Sequence, residues 1–281
     1  DEMDGIVALQ EVWAEIDAAR LDGTLVLVPV ANPLAVTASQ RCAPQDRLDL
    51  NRCFPGERDG SLSQRLAYHL FHDVVLQADL VATFHGSFRS GLVIPYTEVP
   101  DGYGQAAVLR ASLEAAQAFG LGVLRPTPAK SGRLQSAAVR AGVPLIESEI
   151  GGLGVAQRHN WESFRDGLHN LLRHMGMWPG QPSAARDATV VRQIEITAPT
   201  SGLLRHRVGL NEWVDEGQIL ANIVDLHGSS LAEIRSPSRV LVAVQRMWPA
   251  VERDDVVLVL FEKDPGWVRR AGEAEEANGQ T

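Results

Sequence analysis

Apolar residues recur along the first twenty positions at steps of three and four: Ile6, Leu9, Val12, Trp13, Ile16 and Ala19. That spacing keeps one face apolar and predicts an amphipathic helix over residues 4–20. The pattern then changes to an unbroken apolar run, Thr24-Leu-Val-Leu-Val-Pro-Val-Ala31, rich in β-branched residues, which predicts a strand buried on both faces. An irregular segment over 32–60 precedes a second helix over 61–77, with Ser61 as its N-cap. Residues 78–84 repeat the buried-strand pattern and stop at His85-Gly86. A helix over 105–119, a short strand over 121–125, a helical segment over 134–141, a strand over 143–149 and a helix over 160–175 complete this half. Helices alternating with apolar strands predict an α/β sheet with helices on both faces.

Beyond Trp178 the periodicity is different. Residues 179–187 have linker composition, and the runs that follow are short, β-like and punctuated by Gly, Pro and Asn-Glu turns. They predict a small all-β domain over 188–262, after a first domain over 1–180, and a polar tail over 263–281 expected to be disordered.

Charge and composition narrow the function. The chain has 26 basic against 35 acidic residues, a net charge of −9, which argues against a partner held by phosphate neutralisation such as a nucleic acid. The two cysteines, Cys42 and Cys53, are too few for a disulfide scaffold and are read as free thiols. No apolar run reaches 18 residues, so a cytoplasmic protein with no membrane partner is expected. Oligomeric state has no handle in the sequence, and a homo-oligomer remains open.

Candidate chemistry collects where strands end, the usual place for ligands in open α/β sheets. His85 closes the strand over 78–84; an imidazole there serves either as a ligand or as an anchor for a loop. Glu147 and Glu149 close the strand over 143–149, and strand alternation puts both carboxylates on one face. Within the irregular segment, Arg41, Arg47 and Arg52 are placed to clamp a carboxylate or polarise a carbonyl. His69 and His72 sit three apart on a helix that offers no third ligand, and they are read as structural.

Taken in order, several segments carry a resemblance: Asp1-Glu2 opening a helix, Asn32-Pro33, Asp49-Leu50-Asn51-Arg52-Cys53-Phe54-Pro55-Gly56, Asp79 through His85-Gly86, and Glu149-Ile150-Gly151-Gly152. Over residues 1–175 the chain resembles the succinylglutamate desuccinylase/aspartoacylase family, relatives of the zinc carboxypeptidases. The resemblance implies a zinc-carboxypeptidase-like mixed sheet and a zinc-dependent hydrolase that cleaves the amide bond of an N-acyl amino acid. It implies one Zn2+ per chain, with Glu2 and His85 as metal ligands and Glu149, rather than Glu147, as general base. It implies Arg41, with Arg47 as the alternative, as the oxyanion donor, and Asn51 and Arg52 as binders of the substrate carboxylate. The family's other metal histidine falls two positions upstream of Asp1, as does the strand before it, so upstream residues of a longer polypeptide are expected. A particular candidate substrate is an N-acetyl-diaminobutyrate-type amino acid. Two alternatives stand beside this: a carboxypeptidase-like metallopeptidase, and a non-catalytic homologue without a metal site.

The C-terminal stretch 209–221, with Glu233-Ile-Arg-Ser-Pro237, resembles a biotinyl/lipoyl-like barrel. Neither lysine of the chain, Lys130 or Lys263, lies at its hairpin tip, so a carrier role is excluded on chemistry.

Overall fold

Helix α1 (Asp4–Glu15) packs its apolar stripe, with Ala8, Leu9 and Val12 buried, and it stops short of the predicted end. The structure, a computed structural model, describes residues 2–87, 90–183 and 188–267. The following elements are α2 (Pro33–Thr37), α3 (Leu62–His69), β1 (Val81–His85), β2 (Gly91–Asp101), α4 (Ala106–Phe119), β3 (Val123–Pro128), α5 (Leu134–Arg140), β4 (Leu145–Gly152) and α6 (Arg158–His174). Eight more strands come next: β5 (Thr189–Thr197), β6 (Gly202–His206), β7 (Trp213–Val214), β8 (Ile219–Val224), β9 (Ser230–Arg235), β10 (Val240–Arg246), β11 (Ala250–Val251) and β12 (Val256–Lys263).

These strands form an eight-stranded sheet in the order β1-β4-β2-β3-β5-β12-β10-β7 and a four-stranded sheet β11-β6-β8-β9. The first is mixed: β1 runs parallel to β4, while β2 runs antiparallel to it. Successive β4 residues face opposite ways, as strand pleating requires. Leu145 joins one apolar cluster with Ala67, Phe71 and Val139, whereas Ile146 joins another with Ala8, Phe119 and Phe164. Helices therefore cover both faces. A third cluster, including Leu204, Leu220, Ile223, Val242 and Leu260, lies between the small sheet and the β10–β12 part of the large one. Trp267 is buried and its indole N–H donates to Asp101 Oδ1 at 3.0 Å, so the chain after β12 packs against the end of β2. The remainder of the predicted disordered tail, 268–281, lies outside the described residues.

Two expectations need correction. Residues 23–31 form no strand; Val26 is 61% exposed and the segment joins no sheet. An apolar run becomes a strand only beside another strand's free donors and acceptors. The available edge is β1, and a cavity of about 1090 Å3 separates it from this segment. Conversely, β2 was not anticipated, because Pro95 and Pro100 interrupt it and proline demotes a strand. Pro95 falls where the β2–β4 register shifts between Val93 and Tyr96, a bulge that tolerates the missing N–H.

The long segment 32–60 is tied down by Asp46. Its carboxylate accepts from Ser63 N (2.7 Å), Ser61 Oγ (2.9 Å), Ser63 Oγ (2.9 Å) and Leu48 N (3.1 Å), fixing the segment to the start of α3. Burial pushes its pKa up, but the bonds from Ser63 and Leu48 N–H and the two hydroxyls prevail and hold it below the ordinary value. Asp46→Ala should cost about 1–2 kcal/mol at pH 7. A depressed folded pKa means that this contribution is complete above the unfolded value of 3.8 and fades as pH falls through the folded one. Urea unfolding at pH 7 and near pH 3 checks it: the gap between the two proteins should shrink at low pH, and an equal gap would contradict the assignment.

Candidate functional site

The loop after β1 and the start of α1 meet at the end of the sheet. α1 reaches β1 closely because residue 5 is glycine; a Cβ there would lie 2.7 Å from Phe84 Cβ. This approach brings Glu2, just before α1, to His85, the last residue of β1. His85 Nδ1 lies 2.8 Å from Glu2 Oε2, and both side chains are largely shielded from solvent. Burial lowers the His85 pKa, but Glu2 and Glu147 outweigh it and push the ring up to about 10. For Glu2 burial acts upward, while His85 and Arg41 bring the carboxyl below its usual range.

The register of β1 with β4 sets Thr83 beside Glu147 and His85 beside Glu149. Glu147 is almost fully buried and sits 3.6 Å from His85 Nε2. It also receives Asn51 Nδ2 at 3.5 Å and Arg133 Nη2 at 3.4 Å. Glu149 makes no hydrogen bond to any described side chain, and its pKa is pushed up to about 8, first by desolvation and then by Glu2 and Glu147, against the pull of His85. A carboxyl titrating near neutrality is suited to proton transfer.

The loop motif contributes the opposite wall. A turn closed by Ala43 N to Leu48 O carries Arg41 back over Asp49. Arg41 Nε donates to Asp49 Oδ2 at 2.9 Å and Nη1 lies 3.4 Å from Glu2 Oε1. Arg47 instead stands at the turn's tip with a left-handed backbone, φ 57°, its N–H donating to Ala43 O, and its side chain has no hydrogen bond or ion pair to Glu2, His85 or Glu149. Asn51 is fixed on both sides, since Leu134 N donates to its Oδ1 at 2.9 Å. Arg52 is half exposed, its Nη1 donating to Asn51 O at 2.6 Å. Cys42 and Cys53 are free, with the Cys53 thiol 3.3 Å from Asp49 O. His69, the last residue of α3, pairs with Asp73 at 2.8 Å, both side chains being exposed.

Of the residues singled out in the sequence, Glu2, Arg41 and His85 are joined by direct contacts, Glu149 lies beside His85 in the β1–β4 register and Asn51 reaches Glu147, whereas the Arg52 side chain contacts only Asn51 O and Asp49. Asp1 lies outside the described residues. What the sequence reading missed is a buried charge network behind Glu147: Glu98 on β2 pairs with Arg125 on β3 and with Arg133 (3.2 Å). An arginine at the start of α5, just past the carboxyl end of a strand, was the available signal.

Glu2, Arg41, Asn51, His85 and Glu147 border the cavity beside β1, which gives the constellation an adjoining recess. Carboxylate oxygen and imidazole nitrogen are donors that zinc accepts. Among the described residues no group of three His, Cys, Asp or Glu side chains is placed to hold a metal ion; Glu2 and His85 are two groups of the right chemistry in contact.

The family comparison identifies the class: the succinylglutamate desuccinylase/aspartoacylase catalytic domain matches residues 1–175, and the chain belongs to that family. Among its relatives is the N-alpha-acetyl-L-2,4-diaminobutyric acid deacetylase of Halomonas elongata, 29% identical over 273 residues, which span 93% of this chain and 79% of that protein. The product-bound structure of the ectoine utilization protein EutE (DoeB) from Ruegeria pomeroyi superposes with a TM-score of 0.86 at 26% identity, covering 92% of this chain and 81% of that one. A succinylglutamate desuccinylase/aspartoacylase from Rhodobacter sphaeroides gives 0.85 at 27% identity, covering 94% and 82%. No helix among the described residues is long and apolar enough to cross a membrane.

Proposed function

We propose that this protein is a zinc-dependent deacylase that hydrolyses the amide bond of an N-acyl amino acid, with N-acetyl-diaminobutyrate as the leading substrate. The observation that carries the reading is the 2.8 Å contact between Glu2 and His85, one β-register step from Glu149. Glu2 and His85 are two of the zinc ligands. What zinc supplies when bound is Lewis acidity and a more acidic water.

The chain's own residues do the rest. Glu149 takes the proton of the attacking water and returns it to the departing amine nitrogen. Arg41 keeps Nη2 free of any described partner and donates to the carbonyl oxygen as it gains negative charge. Asn51, held by Leu134 N, and Arg52 bind the carboxylate by charge-assisted bonds. The products are a free amino acid and a carboxylic acid.

The substrate preference is supported by the relative from Halomonas elongata and by the ectoine utilization protein. The test is acetate release from N-alpha-acetyl-2,4-diaminobutyrate by the zinc-loaded protein. Release of amino acids from dipeptides without acetate release would favour the metallopeptidase instead. Absence of stoichiometric zinc together with absence of both activities would favour the non-catalytic homologue. Within the deacylase reading, Arg52→Ala should raise KM about tenfold or more while kcat stays nearly constant, because the contact is made in ground state and transition state alike. An unchanged KM would remove Arg52 from carboxylate binding.

A further inference from the structure

Three elements converge on a single oxygen of Glu147, whose side chain is only 2% exposed. From the N-cap of α5, Arg133 Nη2 lies 3.4 Å from Oε1; from the motif loop, Asn51 Nδ2 donates to it at 3.5 Å; from the end of β1, His85 Nε2 lies 3.6 Å away. Two of these partners are themselves fixed. Arg133 Nη1 donates to Glu98 Oε2 at 3.2 Å, and Glu98 is held in turn by Arg125 and by Thr127 Oγ1 at 3.1 Å. Asn51 Oδ1 accepts from Leu134 N at 2.9 Å, so the start of α5 grips Glu147 directly and through Asn51. The carboxylates of Glu98 and Glu147 are balanced by the guanidiniums of Arg125 and Arg133, which is what lets this charge stay buried. The register of β1 with β4 puts both glutamates on the imidazole's face of the sheet. Glu149, directly beside His85, makes no hydrogen bond to any described side chain and is left to move a proton. Glu147, one alternation back, is clamped and meets Nε2.

We infer that Glu147 is a positioning residue for His85: its Oε1 takes the Nε2–H and holds the ring with Nδ1 toward the cation shared with Glu2. This rests on the zinc reading proposed above and adds the group that stands behind the ligand. An imidazole that ligates through one nitrogen has the other left as a donor, and an immobile carboxylate on that donor fixes both tautomer and ring orientation. The ring is already strung between Glu2 at Nδ1, 2.8 Å, and Glu147 at Nε2. The second contact, at 3.6 Å, is an ion-pair distance beyond hydrogen-bond range. With zinc in place of the Glu2 contact at Nδ1, it should close to about 2.7–2.9 Å.

The test measures the zinc affinity of the full chain by competition with a chromophoric chelator, well below the unfolding temperature, so that binding is read apart from turnover. Glu147→Met, apolar and of similar length, should bind zinc about 100-fold more weakly than the natural protein, and Glu147→Gln, which keeps an acceptor oxygen without the charge, about tenfold more weakly. Glu147→Gln still offers Arg133 and Asn51 an oxygen, so it decides the matter alone if Glu147→Met does not fold. A merely structural role would lower the thermal unfolding midpoint of the zinc-free variants and leave the affinity of the folded protein within about threefold of the natural one; that result would overturn the inference. So would a zinc-loaded crystal in which His85 Nε2 stays more than about 3.5 Å from Glu147. A natural protein that binds no zinc overturns this assignment together with the zinc-dependent deacylase. Tight zinc that weakens as expected in the variants, without acetate release by the natural protein, counts against the deacylase and leaves the role of Glu147 standing.

Discussion

Replacing Glu149 by Gln should leave zinc content and fold intact while turnover falls by about 10²–10⁴-fold, the range expected when a positioned general base is lost. The side chain is isosteric, and among the described residues Glu149 makes no hydrogen bond that the amide would break, so the backbone pairing of His85 with Glu149 should persist. What disappears is the ability to take a proton. Both kcat and kcat/KM should fall together, because the interaction is made at the reacting water rather than with the bound substrate. Steady-state acetate release with zinc analysis on the same preparation checks this. Undiminished turnover would transfer the role elsewhere, and Glu147 is a poor substitute: its carboxylate is committed to Asn51 and Arg133 and lies almost wholly buried.

His85→Ala should act at an earlier stage. The imidazole is one of the two proposed zinc donors, and among the described residues its removal leaves Glu2 paired with Arg41. Zinc should fall well below one per chain, and activity should drop by about 10³-fold or more, since several kcal/mol of charge stabilisation go with the ion. Equilibrium dialysis against zinc reads the first effect without any reference to activity. A variant that retains a full complement of tightly held zinc would show that His85 is an ordinary strand-end histidine. The two variants differ in kind: one should keep the metal and lose the chemistry, the other should lose both.

The helices were legible because burial imposes a period. α1, α4 and α6 each carry an apolar stripe at helical spacing, and each was placed within a few residues of its ends. The helix read over 61–77 instead changes pitch: after α3 it widens over Leu70–Val74 and tightens over Val75–Gln77, which apolar spacing alone does not reveal. β1 and β4 were legible as apolar runs. Residues 23–31 show the weakness of that signal, since a run of Val and Leu says nothing about whether a partner edge lies within hydrogen-bond reach. β2 shows the reverse, a central strand hidden by two prolines and by the charge of Glu98, which is neutralised only by arginines distant in sequence. The site followed the same logic. Glu2, Asn51, Arg52, His85 and Glu149 stood out because they sit in motifs, whereas the pairing of Arg133 with Glu98 and Glu147 exists only in the folded chain.

The proposed chemistry requires a cation shared by Glu2 and His85. Anomalous diffraction at the zinc edge, on crystals of the active, zinc-loaded protein, reads this directly. The prediction is one strong peak about 2.0–2.2 Å from both the Glu2 carboxylate and His85 Nδ1, with the direct contact between those two groups opened to admit it. A peak elsewhere in an active protein, or none, with Glu2 and His85 still hydrogen-bonded to each other, would contradict it.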